Sequence, residues 1–150
     1  VPGNHDKLSI VAARGPCDHA CSAQWVRTLS AERGVSEFTG LATDGQGNVN
    51  AAGDQEGRGT YGYGDGVNAT GTSASLNVRV VKYGSSGRVH GARTVSGGSL
   101  PTYYQSVAFE SCNRVYAAGY QNSTEAHCYR TGVSATEPSM FANAMLVMYR

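Results

Sequence analysis

The stretch Val-Asn-Ala-Ala-Gly-Asp-Gln at 49–55 returns 66 residues later as Val-Tyr-Ala-Ala-Gly-Tyr-Gln at 115–121. Its surroundings shift by the same amount. Laying 23–84 over 89–150 needs no gap and gives 18 identities in 62 pairs, among them Arg27/Arg93, Ala42/Ala108, Tyr63/Tyr129, Gly66/Gly132, Asn77/Asn143 and Tyr83/Tyr149. So long a register without an insertion marks duplicated structural units, which bury together a face that neither buries alone. The chain is thereby limited to folds that place copies of one unit side by side.

The unit is made of strands. No dozen residues keep an apolar stripe of period 3.6, and 20 Gly with 9 Tyr and few aliphatic runs suit short strands and many turns. Strands are predicted at 8–13, 24–30, 37–43, 48–53, 77–83, 88–96, 104–109, 114–119 and 143–149. Asp44-Gly45-Gln46-Gly47 and Gly84-Ser85-Ser86-Gly87 are tight turns. In the second copy Asn113 replaces Gly47, which the turn tolerates because Asn also visits the left-handed region. Thr60-Tyr61-Gly62-Tyr63 allows a small extra hairpin inside the long Gly/Tyr segment 54–76.

Each unit is then hairpin, long connection, hairpin. Four short antiparallel strands repeated radially make a propeller blade. The elements Val-x-Ala-Ala-Gly, Val-Val-Lys-Tyr-Gly-Ser-Ser-Gly (80–87) and Ala-Arg-Thr-Val-Ser (92–96) resemble the bacterial β-propeller repeats typified by a turn Asp-x-x-Gly-Asn followed by Val-Tyr-x-x-Gly. Asp44 to Val49 fits that pattern; Glu110 to Tyr116 departs from it. The resemblance spans roughly 23–150 and rests on scaffold residues. It implies an all-β domain of antiparallel four-stranded propeller-type blades, about two per chain. Residues 1–7 form a loose arm and 8–150 one domain with units 23–88 and 89–150. Two blades leave edges open, so the expectation is a partial propeller or a ring completed by oligomerisation.

Net charge is +1 with no basic block, which argues against nucleic-acid binding. The longest apolar run, 144–147, is far shorter than the ~20 residues of a membrane span. Low charge with high Gly, Ser and Thr, and a polar start at Val1 with no Met, lead to an expectation of a secreted, periplasmic or surface protein whose leader has been removed. Asn68-Ala69-Thr70 and Asn122-Ser123-Thr124 match the glycosylation pattern, which means little if the source is bacterial, as the resemblance implies.

Function is less legible. Cys17-Asp18-His19-Ala20-Cys21 has metal-site chemistry, but zinc needs four ligands; a local Cys17–Cys21 disulfide is the preferred reading, with no metal and no cofactor. Cys112 and Cys128 fall at opposite ends of a strand, ~20 Å apart at ~3.3 Å per residue, and are a poor pair. His90 reads as a surface or packing residue, and no nucleophile, metalloprotease or phosphate-loop motif is present. Binding is assigned to the connection after the second strand of each unit, with Arg58, Tyr61, Tyr63, Asp65, His127 and Tyr129 on one face, since aromatic rings suit sugar or protein contacts. The competing reading is that these Tyr pack the extra hairpin, which the Tyr63/Tyr129 recurrence favours. Arg27 and Arg93 read as scaffold. The function expected is a non-catalytic scaffold that binds protein or glycan or self-associates. The rivals are a propeller-face hydrolase or lyase and a purely structural oligomer-forming subunit.

Overall fold

The computed structural model describes residues 10–14, 22–30, 34–111, 113–122 and 124–150, with backbone alone for 10–14 and 22. Among the described residues no helix forms. The strands are β1 (Ile10–Arg14), β2 (Ser22–Arg27), β3 (Ser36–Thr43), β4 (Val49–Glu56), β5 (Thr60–Gly64), β6 (Val67–Thr70), β7 (Leu76–Tyr83), β8 (Val89–Thr94), β9 (Thr102–Glu110), β10 (Arg114–Asn122), β11 (His127–Arg130), β12 (Val133–Ala135) and β13 (Ala142–Tyr149). All pairings are antiparallel. A central sheet has the order β3-β4-β7-β8, a final sheet β13-β10-β9 and a leading sheet β1-β2, while β5-β6 and β11-β12 are small hairpins. The chain is all-β with antiparallel sheets, and they do not close into a ring. The expected arm, 1–7, lies outside the described residues.

The 66-residue shift carries β1 onto β7, β2 onto β8, β3 onto β9, β4 onto β10 and β7 onto β13. The four-strand unit is therefore complete once, in the central sheet. Among the described residues the leading sheet holds the third and fourth positions and the final sheet the first three.

β4 and β10 each run three residues further at their C-terminal ends than expected. β4 continues past Gly53 to Glu56, which faces Leu76, and β10 continues past Gly119 to Asn122, which faces Ala142. The extension carries Gln55 and Gln121 into the interior, where both are fully buried. β2 is shorter than expected, and Ser30 instead makes an isolated bridge to Gly62. Its repeat partner keeps one of the two backbone bonds, with Ser96 N–H donating to the Cys128 carbonyl at 2.8 Å.

The turn chemistry follows the residue types. The Asp44 carboxylate accepts from the backbone N–H groups of Gln46 at 3.0 Å and Asn48 at 2.9 Å, and Gly47 takes φ 79°. Burial pushes the Asp44 carboxyl up, but the bonds from Asn48 and Gln46 and the Lys82 charge outweigh it and hold it below the usual range. Asn113 takes φ 64°, as its position in the repeat predicts.

Ala-Ala-Gly has a separate reason for each residue. Ala51 and Ala52 point to opposite faces of β4 and enter different cores. Gly53 and Gly119 sit beside bulges in β3–β4 and β9–β10. A Cβ on Gly53 would stand 2.0 Å from the Glu37 carbonyl oxygen, and one on Gly119 would stand 1.8 Å from that of Tyr103. Only glycine lets the partner strand approach so closely.

Two cores separate three stacked sheets. The first joins Trp25 and Leu29 to Val49, Ala51, Tyr61, Tyr63, Val81 and Tyr83. The second joins Ala52, Val78, Val80 and Val95 to Tyr104, Val115, Ala117, Tyr129, Met145, Val147 and Tyr149. Position for position the second core repeats the first: Val95 stands for Leu29, Val115 for Val49, Tyr129 for Tyr63. Phe38 and Tyr83 meet edge to face at 6.4 Å, and so do Tyr104 and Tyr149, which add a hydroxyl–hydroxyl bond of 2.6 Å. One rule governs the stack: each sheet presents its leading face to the sheet before it and its trailing face to the sheet after it.

Candidate functional site

The six residues expected to form a binding face divide into two groups. Tyr61, Tyr63, Tyr129 and His127 are buried, whereas Arg58 and Asp65 are exposed. Tyr63 donates to Gln55 Oε1 and Tyr129 donates to Gln121 Oε1, so the recurring Tyr pins each small hairpin onto its own sheet. Tyr61 donates to the Glu56 carbonyl at 2.9 Å. His127 occupies the position of Tyr61 but is shorter, and both ring nitrogens lack a hydrogen-bond partner among the described residues. Burial lowers its pKa and the nearby Glu125 charge opposes this. Asp65 accepts from Val89 N–H at 2.7 Å and pairs with Arg27 at 3.6 Å, which fixes the fourth strand of the central sheet. Arg58 donates to the Thr72 carbonyl at 2.9 Å. The structure therefore gathers these side chains into hairpin packing and does not bring the six onto one solvent-facing surface.

The connections were legible as a group without their anchor being visible. Asn77 Oδ1 accepts from Thr72 N–H at 2.8 Å and Ser73 N–H at 2.7 Å, while its amide nitrogen donates to the Gly57 carbonyl at 3.0 Å. Asn143 repeats part of this, donating to the Ser139 and Phe141 carbonyls, each at 2.7 Å. The Asn77/Asn143 and Ser73/Ser139 identities are the signal of it in the sequence.

The strongest electrostatics are internal too. The Arg79 guanidinium is fully buried, 4.2 Å above the centre of the Phe38 ring and 5.8 Å from that of Tyr63, with no hydrogen-bond acceptor in good geometry. Ring faces offer it cation–π attraction instead. Burial drives its pKa down, and Tyr63, Tyr83 and Asp54 pull it back. Burial also pushes Tyr63 and Tyr83 up to about 12, with Arg79 opposing, so both are neutral phenols at pH 7. Asp54, directly opposite Glu37 in the strand pair, is pushed up to about 6 by burial and then by the Glu37 charge, against the pull of Arg79.

What reaches solvent lies at the two ends of the stack. On the trailing face of the final sheet Leu146 is 69% exposed and Met148 47%, beside exposed Ala144. Tyr120, opposite Ala144, and Tyr116, opposite Met148 with its hydroxyl bonded to Glu110 at 2.9 Å, give this face a more polar rim. At the other end Val26 points away from the central sheet and is 56% exposed, while Trp25 and Arg27 point inward.

A cleft of about 250 Å³ opens beside β13 and the end of β8, lined by Val80, Lys82, His90, Arg93, Val115 and Tyr149 among others, with no Asp or Glu side chain in its lining. In the preceding core the same space is filled. Trp25 stacks on Tyr83 at 6.0 Å, and Arg27 Nε donates to the Gly87 carbonyl at 2.6 Å. Gly91 stands where Trp25 would and Thr131 where Asp65 would, so Arg93 has no carboxylate in Asp65's place and donates to the Ala92 carbonyl at 3.1 Å.

Cys17, Cys21 and Cys112 lie outside the described residues, and with them the expected local disulfide; Cys128 is a free, half-buried thiol. No cluster of metal-ligating side chains occurs among the described residues. Among them, too, no helix is long and apolar enough to cross a membrane. No protein-family model matches the chain, and a search of curated proteins returns no relative.

Proposed function

We propose that this chain is a non-catalytic scaffold of propeller-type blades, secreted, periplasmic or on the cell surface, that works through protein contacts made by the uncovered end of its sheet stack. The observation that carries this reading is the apolar trailing face of the final sheet, with Leu146 and Met148 in the open and a more polar rim. An interface has that composition: an apolar centre, aromatic anchors and a wetter margin. The blade reading draws further support from the four-strand central unit and from the two cores that repeat one another.

The test is binding of an apolar fluorescent dye at the lowest measurable protein concentration. The native protein is expected to enhance the dye's emission. The double variant Leu146→Asp, Met148→Asp is expected to lose most of that enhancement while keeping its β-sheet circular dichroism. Equal enhancement in both proteins contradicts the reading.

A second reading rests on the cleft. Arg93, His90 and Lys82, the last also paired with Asp44 at 3.7 Å, line it without an acidic side chain in the lining, and flanking Tyr149 offers an aromatic wall, a combination suited to an acidic saccharide. Titration with an oligouronide tests it: Arg93→Ala must weaken binding at low salt, and an unchanged affinity rejects this reading.

A further inference from the structure

We propose that His127 is a pH latch: as the neutral imidazole it closes its end of the β11–β12 hairpin onto the 97–101 connection, and as the imidazolium it releases that end while the sheet beneath stays folded. The proposal goes beyond the protein-contact reading and uses none of the faces on which that reading depends. Its ground is the contrast between His127 and Tyr61, which holds the same position in the other hairpin. Both are fully buried. The backbone frame around them is the same: Glu56 N–H donates to the Val35 carbonyl at 2.8 Å, and Asn122 N–H donates to the Pro101 carbonyl at 3.0 Å. Within that frame the Tyr61 hydroxyl reaches the Glu56 carbonyl at 2.9 Å and the Val35 carbonyl at 3.3 Å. The shorter imidazole reaches neither counterpart, and both of its nitrogens are left without a partner.

The surroundings accept a neutral ring and not a charged one. Gly98, at φ 86°, lies against the ring, and a Cβ there would collide with Nδ1. Asn122 Oδ1 is buried without a donor; its counterpart Glu56 Oε2 accepts from Val35 N–H at 3.0 Å, and Pro101, which stands for Val35, has no N–H. The 97–101 connection, Gln121 and Asn122 of β10, and Ala135 opposite in β12 bring no titratable side chain to the ring. Its own strand adds Cys128, beside Gly97, and Tyr129, whose hydroxyl is bonded to Gln121. Among the described residues the charged group that acts on it is the exposed Glu125 carboxylate, which accepts from Ser99 N–H at 2.9 Å and from the Ser99 hydroxyl at 2.8 Å. Protonation would add an N–H and a charge to a ring with no acceptor in reach, and a buried unpaired cation is too costly to keep. Burial accordingly lowers the pKa of the closed ring, against the pull of Glu125. An open ring titrates near the ordinary 6.5, so below that pH the open form binds the proton that the closed form excludes, and opening rises by up to about tenfold per pH unit. Release stops at the hairpin because β10 is paired along both edges, with β9 and β13, whereas the hairpin is tied down chiefly by the Tyr129 hydroxyl and by Ser96 N–H on the Cys128 carbonyl.

The test is amide hydrogen exchange of the whole chain from about pH 7.5 to about pH 5, corrected for the intrinsic pH dependence of exchange. Protection of 127–130 is expected to fall by about tenfold or more as pH drops below 6.5, while that of 115–119 in β10 stays unchanged. His127→Gln, which does not titrate, is expected to keep its hairpin protection across the range. Hairpin protection that ignores pH overturns the proposal, as does an equal fall in His127→Gln. A loss at β10 in step with the hairpin also overturns it, since the whole sheet would then be unfolding. If His127→Gln does not fold, ring NMR of the wild type decides. His127 must titrate below 6.5, together with the amide changes at 127–130; a ring that titrates with those amides unmoved overturns the latch.

Discussion

Strands β7 and β13 are the same element of the repeat in two surroundings. β7 is buried along nearly all its length because sheets cover both of its faces, whereas β13 alternates, with Met145, Val147 and Tyr149 inward and Ala144, Leu146 and Met148 outward. Side chains that alternate across a strand serve two faces, so a strand in mid-stack needs apolar residues at consecutive positions and a terminal strand does not. β13 nevertheless keeps Leu and Met on its open side. The sequence of a covered strand in the surroundings of an uncovered one is the physical basis of the protein-contact reading.

The sharpest way to break this comparison is to place the same substitution at equivalent positions. Val80→Asp buries an unpaired carboxylate and is expected to destabilise by about 4 kcal/mol or more, which lowers the melting temperature by roughly 10 °C or more in a chain of this size. Leu146→Asp puts the charge into water and is expected to change stability by about 0.5 kcal/mol or less. Calorimetry at a concentration where the chain is monomeric separates the two, and equal losses would mean that the final sheet is covered on both sides.

Asp54 and its equivalent Tyr120 give the next largest contrast. The folded-state pKa of Asp54 is raised from 3.8 to about 6. The native state therefore holds the proton more tightly than the unfolded chain, and stability from this group falls as pH rises from about 4 to about 6, by roughly 3 kcal/mol. Asp54→Asn is expected to raise stability at pH 7 and to flatten that part of the profile in denaturant titrations. His127 acts in the opposite direction: its lowered pKa makes the unfolded chain the stronger proton binder, so stability falls as pH drops below 6.5. His127→Gln should remove that acid-side loss and leave the Asp54 effect in place.

The smallest effect compares the two aromatic pairs. Tyr104→Phe turns the Tyr104–Tyr149 pair into a copy of Phe38–Tyr83 and leaves the buried Tyr149 hydroxyl without a partner, at a cost of about 1 kcal/mol. Adding Tyr149→Phe removes the orphaned group, so the double variant is expected to unfold at or above the midpoint of the single one. A double variant less stable than the single one would show that the hydroxyl pair is not what distinguishes the two cores.

Much of the fold is legible in the residues. Alternating β-branched and aromatic runs located the strands, Asp44 with Gly47 the first turn, and Asn113 the left-handed position in the second. The Tyr63/Tyr129 recurrence pointed to packing, and both side chains pack inward. Arg79 was not legible, since a charged residue in a Val-rich strand reads as solvent-facing until the rings of Phe38 and Tyr63 are brought over it from other strands. The Asn77 anchor depends on backbone groups up to 22 residues away. The open face was not legible either: Leu146 and Val80 read alike as apolar strand residues, and only the stack decides which of them is covered.

The central claim is that β13 is a β7 with its outer neighbour removed, and single-residue amide hydrogen exchange on the monomeric chain tests it most directly. β7 pairs on both sides, with β4 and β8, while β13 pairs only with β10. In an antiparallel pair each neighbour satisfies alternate amides. The account predicts unbroken protection along Arg79–Tyr83 and an alternating pattern of slow and fast amides along 142–149. Unbroken protection of β13 in the monomer, or alternation in β7, would contradict it.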